Sequence, residues 1–189
     1  SLADIITFGN QIITAKSGET KTIVIAANTK FAINNNGTIK VFDIGSSDVE
    51  LTESDLDTGV FAVGKDYYVY LCDAGVDLEV YLISLNSTYP AGYDADSSRK
   101  IGGFHYGYKR NSITVADVSE AIVPNSVWDL KHRPKCDPEG MVYLGGGVWV
   151  DIYLPSVNEA ITFNGGNGYP LLTGTAKSIY NATPLTGTE

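Results

Sequence analysis

Apolar and polar positions alternate along the first half of the chain in short runs closed by turn residues. That period of two predicts β-strands. Two β-branched runs, Gln11 to Ala15 and Lys21 to Ala27, flank Lys16-Ser-Gly-Glu-Thr20. Phe31 and Ile33, then Ile39 and Val41, alternate with small or polar neighbours on either side of Asn36-Gly37. An Asn-Gly pair accepts the positive φ angles of a type I′ turn, so a hairpin from Phe31 to Phe42 is expected, with these four apolar residues on one face. Val49 to Leu51 and Val60 to Val63 are further strand candidates. The acidic run between them, Glu53-Ser-Asp-Leu-Asp57, lacks the central glycine and terminal glutamate of an EF-hand loop and reads as a solvated turn.

Tyr67 to Cys72 and Leu78 to Leu85 form a second strand pair. Alternation places Tyr68, Tyr70 and Cys72 on one face and Tyr67, Val69 and Leu71 on the other. Both faces are apolar or aromatic, as in a strand covered on two sides. Repeated short strands without a fixed sequence period predict an antiparallel β-sandwich from about residue 1 to 130. The Arg99-Lys-Ile-Gly-Gly-Phe-His stretch reads as a tight turn into a strand, because its glycines match neither phosphate-binding spacing. Thr114 to Val123, with Val115, Val118 and Ile122 at roughly helical spacing before Pro124, is the one helix candidate. Met141 to Leu144 and Val148 to Leu154 read as strands joined through Gly145-Gly-Gly147. Beyond Leu154 the chain thins into Asn164-Gly-Gly-Asn-Gly168 and a Ser/Thr/Gly-rich tail, expected to lie along another surface or to be poorly ordered.

Composition narrows the function classes. A chain of 189 residues with 43% hydrophobic residues can build one ample domain or two small ones. A formal net charge of −9 disfavours both nucleic acid and an anionic membrane surface. No apolar run approaches the ~18 residues of a membrane span, so no membrane insertion is expected. Ser1-Leu-Ala-Asp-Ile lacks the basic start of a signal peptide. The two cysteines, Cys72 and Cys136, are therefore expected to be unpaired thiols. For the same reason the sequons Asn86-Ser-Thr88 and Asn181-Ala-Thr183 count for little.

One stretch carries a family resemblance. Arg99-Lys-Ile-Gly-Gly-Phe-His-Tyr106, Ser126-Val-Trp-Asp-Leu-Lys-His-Arg-Pro134, Asp137-Pro-Glu-Gly-Met141 and Val148-Trp-Val-Asp-Ile-Tyr-Leu154 follow in an order that resembles the phage major tropism determinants. These are trimeric receptor-binding proteins diversified by retroelements. Upstream, Gly64-Lys-Asp-Tyr-Tyr-Val-Tyr-Leu-Cys-Asp73 and Tyr89-Pro-Ala-Gly-Tyr93 extend the resemblance over roughly the middle half of the chain. It implies a β-sandwich leading into the first strands of a C-type-lectin-like domain, hence an all-β protein divided at 1–130 and 131–189. The family's lectin-like part runs well past the Trp149 to Leu154 strand and ends in a hypervariable ligand site. No matching Leu-Pro-x-x-x-Glu-Phe word follows here, and no counterpart of the family's β-prism precedes Ser1.

The candidate chemistry is modest. His105 and His132, with Asp129, Asp137 and Asp151 nearby in sequence, match no metal-ligand spacing. Ser126, His132 and Asp129 supply the residue types of a hydrolase triad without a Gly-x-Ser-x-Gly elbow. No catalytic, cofactor or metal site is assigned, and a metal-dependent enzyme is the weakest reading. Trp128 and Trp149 are the notable pair. Exposed, they would stack sugar rings as in an adhesin. Their neighbours Val127, Leu130, Val148 and Val150 favour burial in one apolar cluster joining the two parts. Arg133 is expected to pair with Asp129 or Asp137.

The structural or interface candidates are thus Trp128, Trp149, Arg133, Asp151, Tyr67, Tyr68 and Tyr70. The expectation is a non-enzymatic virion protein on the phage tail or particle surface, serving as scaffold or adaptor for host attachment. By resemblance it is a homotrimer that contacts other virion proteins, with a host cell-surface receptor engaged through a C-terminal part not seen here. The alternatives are a carbohydrate-binding adhesin module and a virion decoration protein.

Overall fold

The computed structural model describes residues 11–76, 78–110 and 118–153, with the backbone of the short pair 155–156 and 177–178. It is all-β and antiparallel. The strands are β1 (Ile13–Ala15), β2 (Ile23–Ile25), β3 (Lys30–Asn35), β4 (Thr38–Asp43), β5 (Val49–Leu51), β6 (Lys65–Gly75) and β7 (Leu78–Ser84). They continue as β8 (Ser98–Arg110), β9 (Val118–Ile122), β10 (Trp128–Asp129), β11 (Met141–Gly145), β12 (Val148–Asp151), β13 (Pro155–Ser156) and β14 (Lys177–Ser178). A five-stranded sheet runs β10-β8-β6-β7, with β9 on the far half of β8. Opposite it lie a three-stranded sheet, β1-β2-β5, and the β3-β4 hairpin. The main core fills the space between, combining Tyr67, Val69 and Leu71 with Ile13, Ile23, Ile25, Leu51, Phe31, Ile33 and Phe42.

The expected two-faced strand is observed. Tyr67, Val69 and Leu71 enter that core, whereas Tyr68, Tyr70 and Cys72 form a second cluster with Trp128 on the other face. A bulge in β8 serves both faces. Val69 pairs with Gly102 and Tyr70 with Lys100, so Ile101 is the inserted residue. The extra residue shifts the pleat, so Ile101 and Phe104 both reach the main core while Lys100 shares a face with Tyr70.

Several expectations are corrected. The hairpin turns at Asn36 (φ 49°) and Gly37 (φ 86°) between the paired residues Asn35 and Thr38, as expected. Its four marker residues do not share a face, however. Ile33 pairs with Lys40, and Ala32 with Val41, so Phe31 and Ile33 are buried while Ile39 and Val41 are exposed. Two residues in the turn, rather than three, set that parity.

Val60 to Val63 is not a strand. The amide of Phe61 donates to Glu53 Oε1 at 2.8 Å and that of Ala62 to the Tyr67 hydroxyl at 2.7 Å. With its amides spent on side chains, the segment inserts Phe61 among Tyr67, Phe104 and Tyr106 instead of joining a ladder. The acidic run is more than a solvated turn: Glu53–Asp55 is a short 3-10 helix with a Thr52/Asp55 capping box.

The Gly102-Gly103 pair makes no turn, because β8 continues through it. The glycines are there for close approach. A Cβ on Gly102 would lie 2.5 Å from the Trp128 carbonyl, and one on Gly103 2.6 Å from the Tyr67 carbonyl. The helix expected at Thr114 to Val123 is replaced over its described part by β9, whose residues Val118 to Ile122 pair with Arg110 to Tyr106. The ladder along the β8 extension satisfies this backbone where three loosely spaced apolar residues had suggested a helix. Residues 114–117 of that helix, like the tail at 164–176, lie outside the described residues.

Candidate functional site

The outer face of the five-stranded sheet holds Trp128, Tyr68 and Tyr70, whereas Tyr67 lies in the main core on the other face. Trp128 pairs with Gly103 on β8, and its indole lies against Tyr68, Tyr70 and Cys72. It is 5% exposed. Trp149, on the β11-β12 hairpin, packs on the same cluster but is only half-buried. Burial of both indoles in one cluster therefore holds in full for Trp128 and in part for Trp149. His132 contacts Trp149 and Tyr143 with ring centroids 5.1 and 4.6 Å away, which seats the hairpin on the segment after β10. Burial pushes the His132 pKa down, against the pull of the Asp129 carboxylate.

The expected pairing of Arg133 with Asp129 or Asp137 is not observed. Its guanidinium stands over the Trp128 ring, 5.4 Å from the centroid. Asp129 is occupied elsewhere and fully buried. Its Oδ2 accepts the amides of Ile12 and Ile13 at 2.5 and 3.2 Å, and its Oδ1 those of Lys131 and His132 at 2.7 and 2.8 Å. One carboxylate thereby ties the first strand to the segment leaving the last strand of the sheet. The bonds to Lys131 and His132 follow the local pattern of an Asx turn and were legible in principle. Those to Ile12 and Ile13, over a hundred residues away, were not.

Nor do the hydrolase-type residues converge. Ser126 Oγ donates to the Val123 carbonyl at 2.6 Å and accepts the His105 amide at 2.9 Å, whereas the His132 ring packs against the hairpin. The His105 ring is buried between Asp66 Oδ1 at 3.0 Å and the Tyr153 hydroxyl at 2.7 Å. Asp66 also accepts the Gly140 amide at 3.0 Å. The network thus joins β6, β8 and the two ends of the β11-β12 hairpin. Among the described residues, no three His, Cys, Asp or Glu side chains gather as metal ligands. Cys72 and Cys136 are both free, the first buried and the second exposed, as expected. Asp151 is exposed at the end of β12, opposite Met141.

A cleft of about 640 Å³ opens between this sheet face and the loop after β10, lined in part by Tyr68, Lys100, Trp128, Arg133 and Glu139. Lys100 Nζ lies 4.4 Å from the centre of the Tyr68 ring. The Tyr68 hydroxyl donates to the Glu139 carboxylate. Burial, reinforced by that carboxylate, pushes the Tyr68 phenol far above its ordinary pKa, which keeps it protonated as a donor. Sequence patterning missed Lys100 and Glu139, because the bulge and the loop that bring them together are long-range features. With Arg133 above it and the sheet beneath, Trp128 offers no free face for stacking a sugar ring.

Comparison with known proteins agrees with this architecture. The family described as Mtd second domain matches residues 13–129. The tail fiber receptor-binding protein of Bordetella phage BPP-1 is 34% identical over 161 residues, covering 82% of this chain and 38% of that protein. Among solved structures, the Major Tropism Determinant M1 variant superposes with a TM-score of 0.61 at 30% identity, and the U1 variant with 0.59 at 29%. Each covers 81% of this chain, which in turn spans 37% of theirs, so the chain corresponds to well under half the length of these relatives. With the family match running from the first strand of the sandwich to the buried Asp129, the chain belongs to the Mtd second-domain family.

Proposed function

We propose that the chain is a non-enzymatic part of a phage virion, a segment of a tail-fibre or baseplate protein of the receptor-binding type that acts as a scaffold for host attachment. The observation that carries this reading is the 34% identity with a tail fiber receptor-binding protein across 161 residues. The local chemistry supports it. Ser126, Asp129 and the buried His105 are engaged in tying strands together, and His132 packs on the β11-β12 hairpin. We place the division of the chain near residue 130. Residues 1–130 are then the sandwich, and 131–189 open a C-type-lectin-like part with its Gly/Asn/Thr-rich tail. The separate two-stranded sheet of β11 and β12 supports that boundary.

A homotrimer contacting other virion proteins belongs to the same proposal. Tyr67, Tyr68 and Tyr70 are covered within the chain. Exposed apolar side chains such as Ile39 and Val41 remain for contact between protomers. Antiserum raised against this chain should decorate the tails of purified, washed particles and block their adsorption to host cells. Light scattering should give three times the chain mass. Particles that lack the protein after washing, or adsorb unimpeded with antibody bound, would remove the virion assignment. A monodisperse monomer would remove the trimer.

A further inference from the structure

The cleft beside Trp128 is more positively charged than the chain around it. Lys100, Arg133 and Lys135, three of the 13 Lys and Arg residues of a chain with net charge −9, line this one hollow. Its volume of about 640 Å³ falls within the ~300–1,000 Å³ typical of small-ligand sites. Two of the cations are held by aromatic rings rather than by carboxylates, Lys100 by Tyr68 and Arg133 by Trp128. Among the described residues neither forms an ion pair. Burial lowers the Lys100 pKa, opposed by the nearby Glu139 and Asp137 carboxylates, so its ammonium has lost water without gaining a direct anionic partner. The remaining wall is of opposite character, with Asp137 and Glu139 offering acceptors and Ser87 a hydroxyl.

We propose that this cleft binds a carboxylated sugar of one or two rings, its carboxylate between Lys100 and Arg133 and its hydroxyls towards Asp137, Glu139 and Ser87. The mixed lining selects that chemistry. Phosphate or sulfate alone would answer the cations but leave the acceptor wall of Asp137 and Glu139 without hydroxyl donors. A neutral sugar would bring no anion into contact with the desolvated Lys100, which the nearby carboxylates influence without forming an ion pair. An acidic peptide brings carboxylates but few hydroxyl donors for the acceptor wall. A molecule with one carboxylate and several hydroxyls satisfies both sides. Ring stacking contributes little, since Lys100 and Arg133 already cover the aromatic faces. The inference rests on the cleft alone and stands or falls independently of the virion assignment.

The test is a calorimetric titration of the 189-residue chain with N-acetylneuraminic acid and galacturonic acid. N-acetylmannosamine, galactose, inorganic phosphate and an Asp/Glu-rich peptide serve as comparisons. The expected result is saturable binding of at least one acidic sugar that weakens with added salt and falls tenfold or more in Arg133→Gln and in Lys100→Gln. Binding should also slow alkylation of Cys136, an exposed thiol on the same cleft. Arg133 is exposed, so its variant is expected to keep the fold; thermal unfolding verifies this for both. Three outcomes would overturn the proposal: no acidic-sugar binding at millimolar concentration, equal binding of a comparison compound, or binding that leaves Cys136 unprotected.

Discussion

Gly103 stands directly opposite Trp128 across the β8-β10 pair, and the indole occupies the volume that a side chain at 103 would need. A Cβ there would lie 2.7 Å from Trp128 Cζ2 as well as 2.6 Å from the Tyr67 carbonyl. Backbone on one side and a buried ring on the other leave no soft neighbour to yield. Gly103→Ala should therefore destabilise the fold by about 1–3 kcal/mol through overpacking. Trp128→Ala should cost about 3–5 kcal/mol, and Trp149→Ala clearly less because its ring is half-exposed. Denaturant unfolding of the three variants checks the order, and a Trp149 effect equal to that of Trp128 would contradict it.

Asp129 is expected to be the most sensitive polar position. Asp129→Ala would strand the amides of Ile12, Ile13, Lys131 and His132, at least one of them in the buried interior. Each unsatisfied buried donor costs about 1–3 kcal/mol, so a loss of at least ~1 kcal/mol is expected. Asp129→Asn, which keeps only one acceptor oxygen, should fall between alanine and the native residue. Equal stability of all three proteins by chemical denaturation would refute the role assigned to the carboxylate.

The two thiols should differ sharply in reactivity. Cys72 is fully buried, and desolvation, with a smaller contribution from Asp57, pushes its pKa up to about 12. The thiolate is the reactive form, so Cys72 should resist alkylation at neutral pH while exposed Cys136 reacts. Mass spectrometry should find one label per native chain and two after unfolding. Rapid double labelling of native protein would show that the second cluster opens.

Acid should loosen the link between the β3-β4 hairpin and β6. Lys40, followed by Asn35, holds the Asp73 carboxyl below its ordinary pKa. A depressed folded-state pKa means that this stabilisation is complete above the unfolded value, about 3.9, and is lost as pH falls through the lower folded value. Melting temperature should therefore drop more steeply below about pH 4 in the native protein than in Lys40→Met. Parallel pH profiles for the two would exclude the contribution of this pair.

Strand periodicity, turn chemistry and the two-faced character of Tyr67 to Cys72 were legible in the sequence, because each depends on residues a few positions apart. Asn36-Gly37 specifies its turn by backbone preference alone, and alternation alone assigns Tyr68 and Tyr67 to opposite faces. Burial of Trp128 and the free state of both cysteines could likewise be read from their neighbours and from composition. Tertiary structure decided what depends on pairing register and on partners distant in the chain. The parity of the β3-β4 pairing turned Ile39 and Val41 outward. A bulge at Ile101 put Lys100 beside Tyr68, and an extended β8 drew Val118 to Ile122 into a ladder. Asp129 found two of its four donors beyond a hundred intervening residues, and Arg133 found an indole in place of a carboxylate. Local preferences are properties of a few adjacent dihedrals, whereas register and long-range contacts are selected by the free energy of the packed whole, which no short stretch of residues contains.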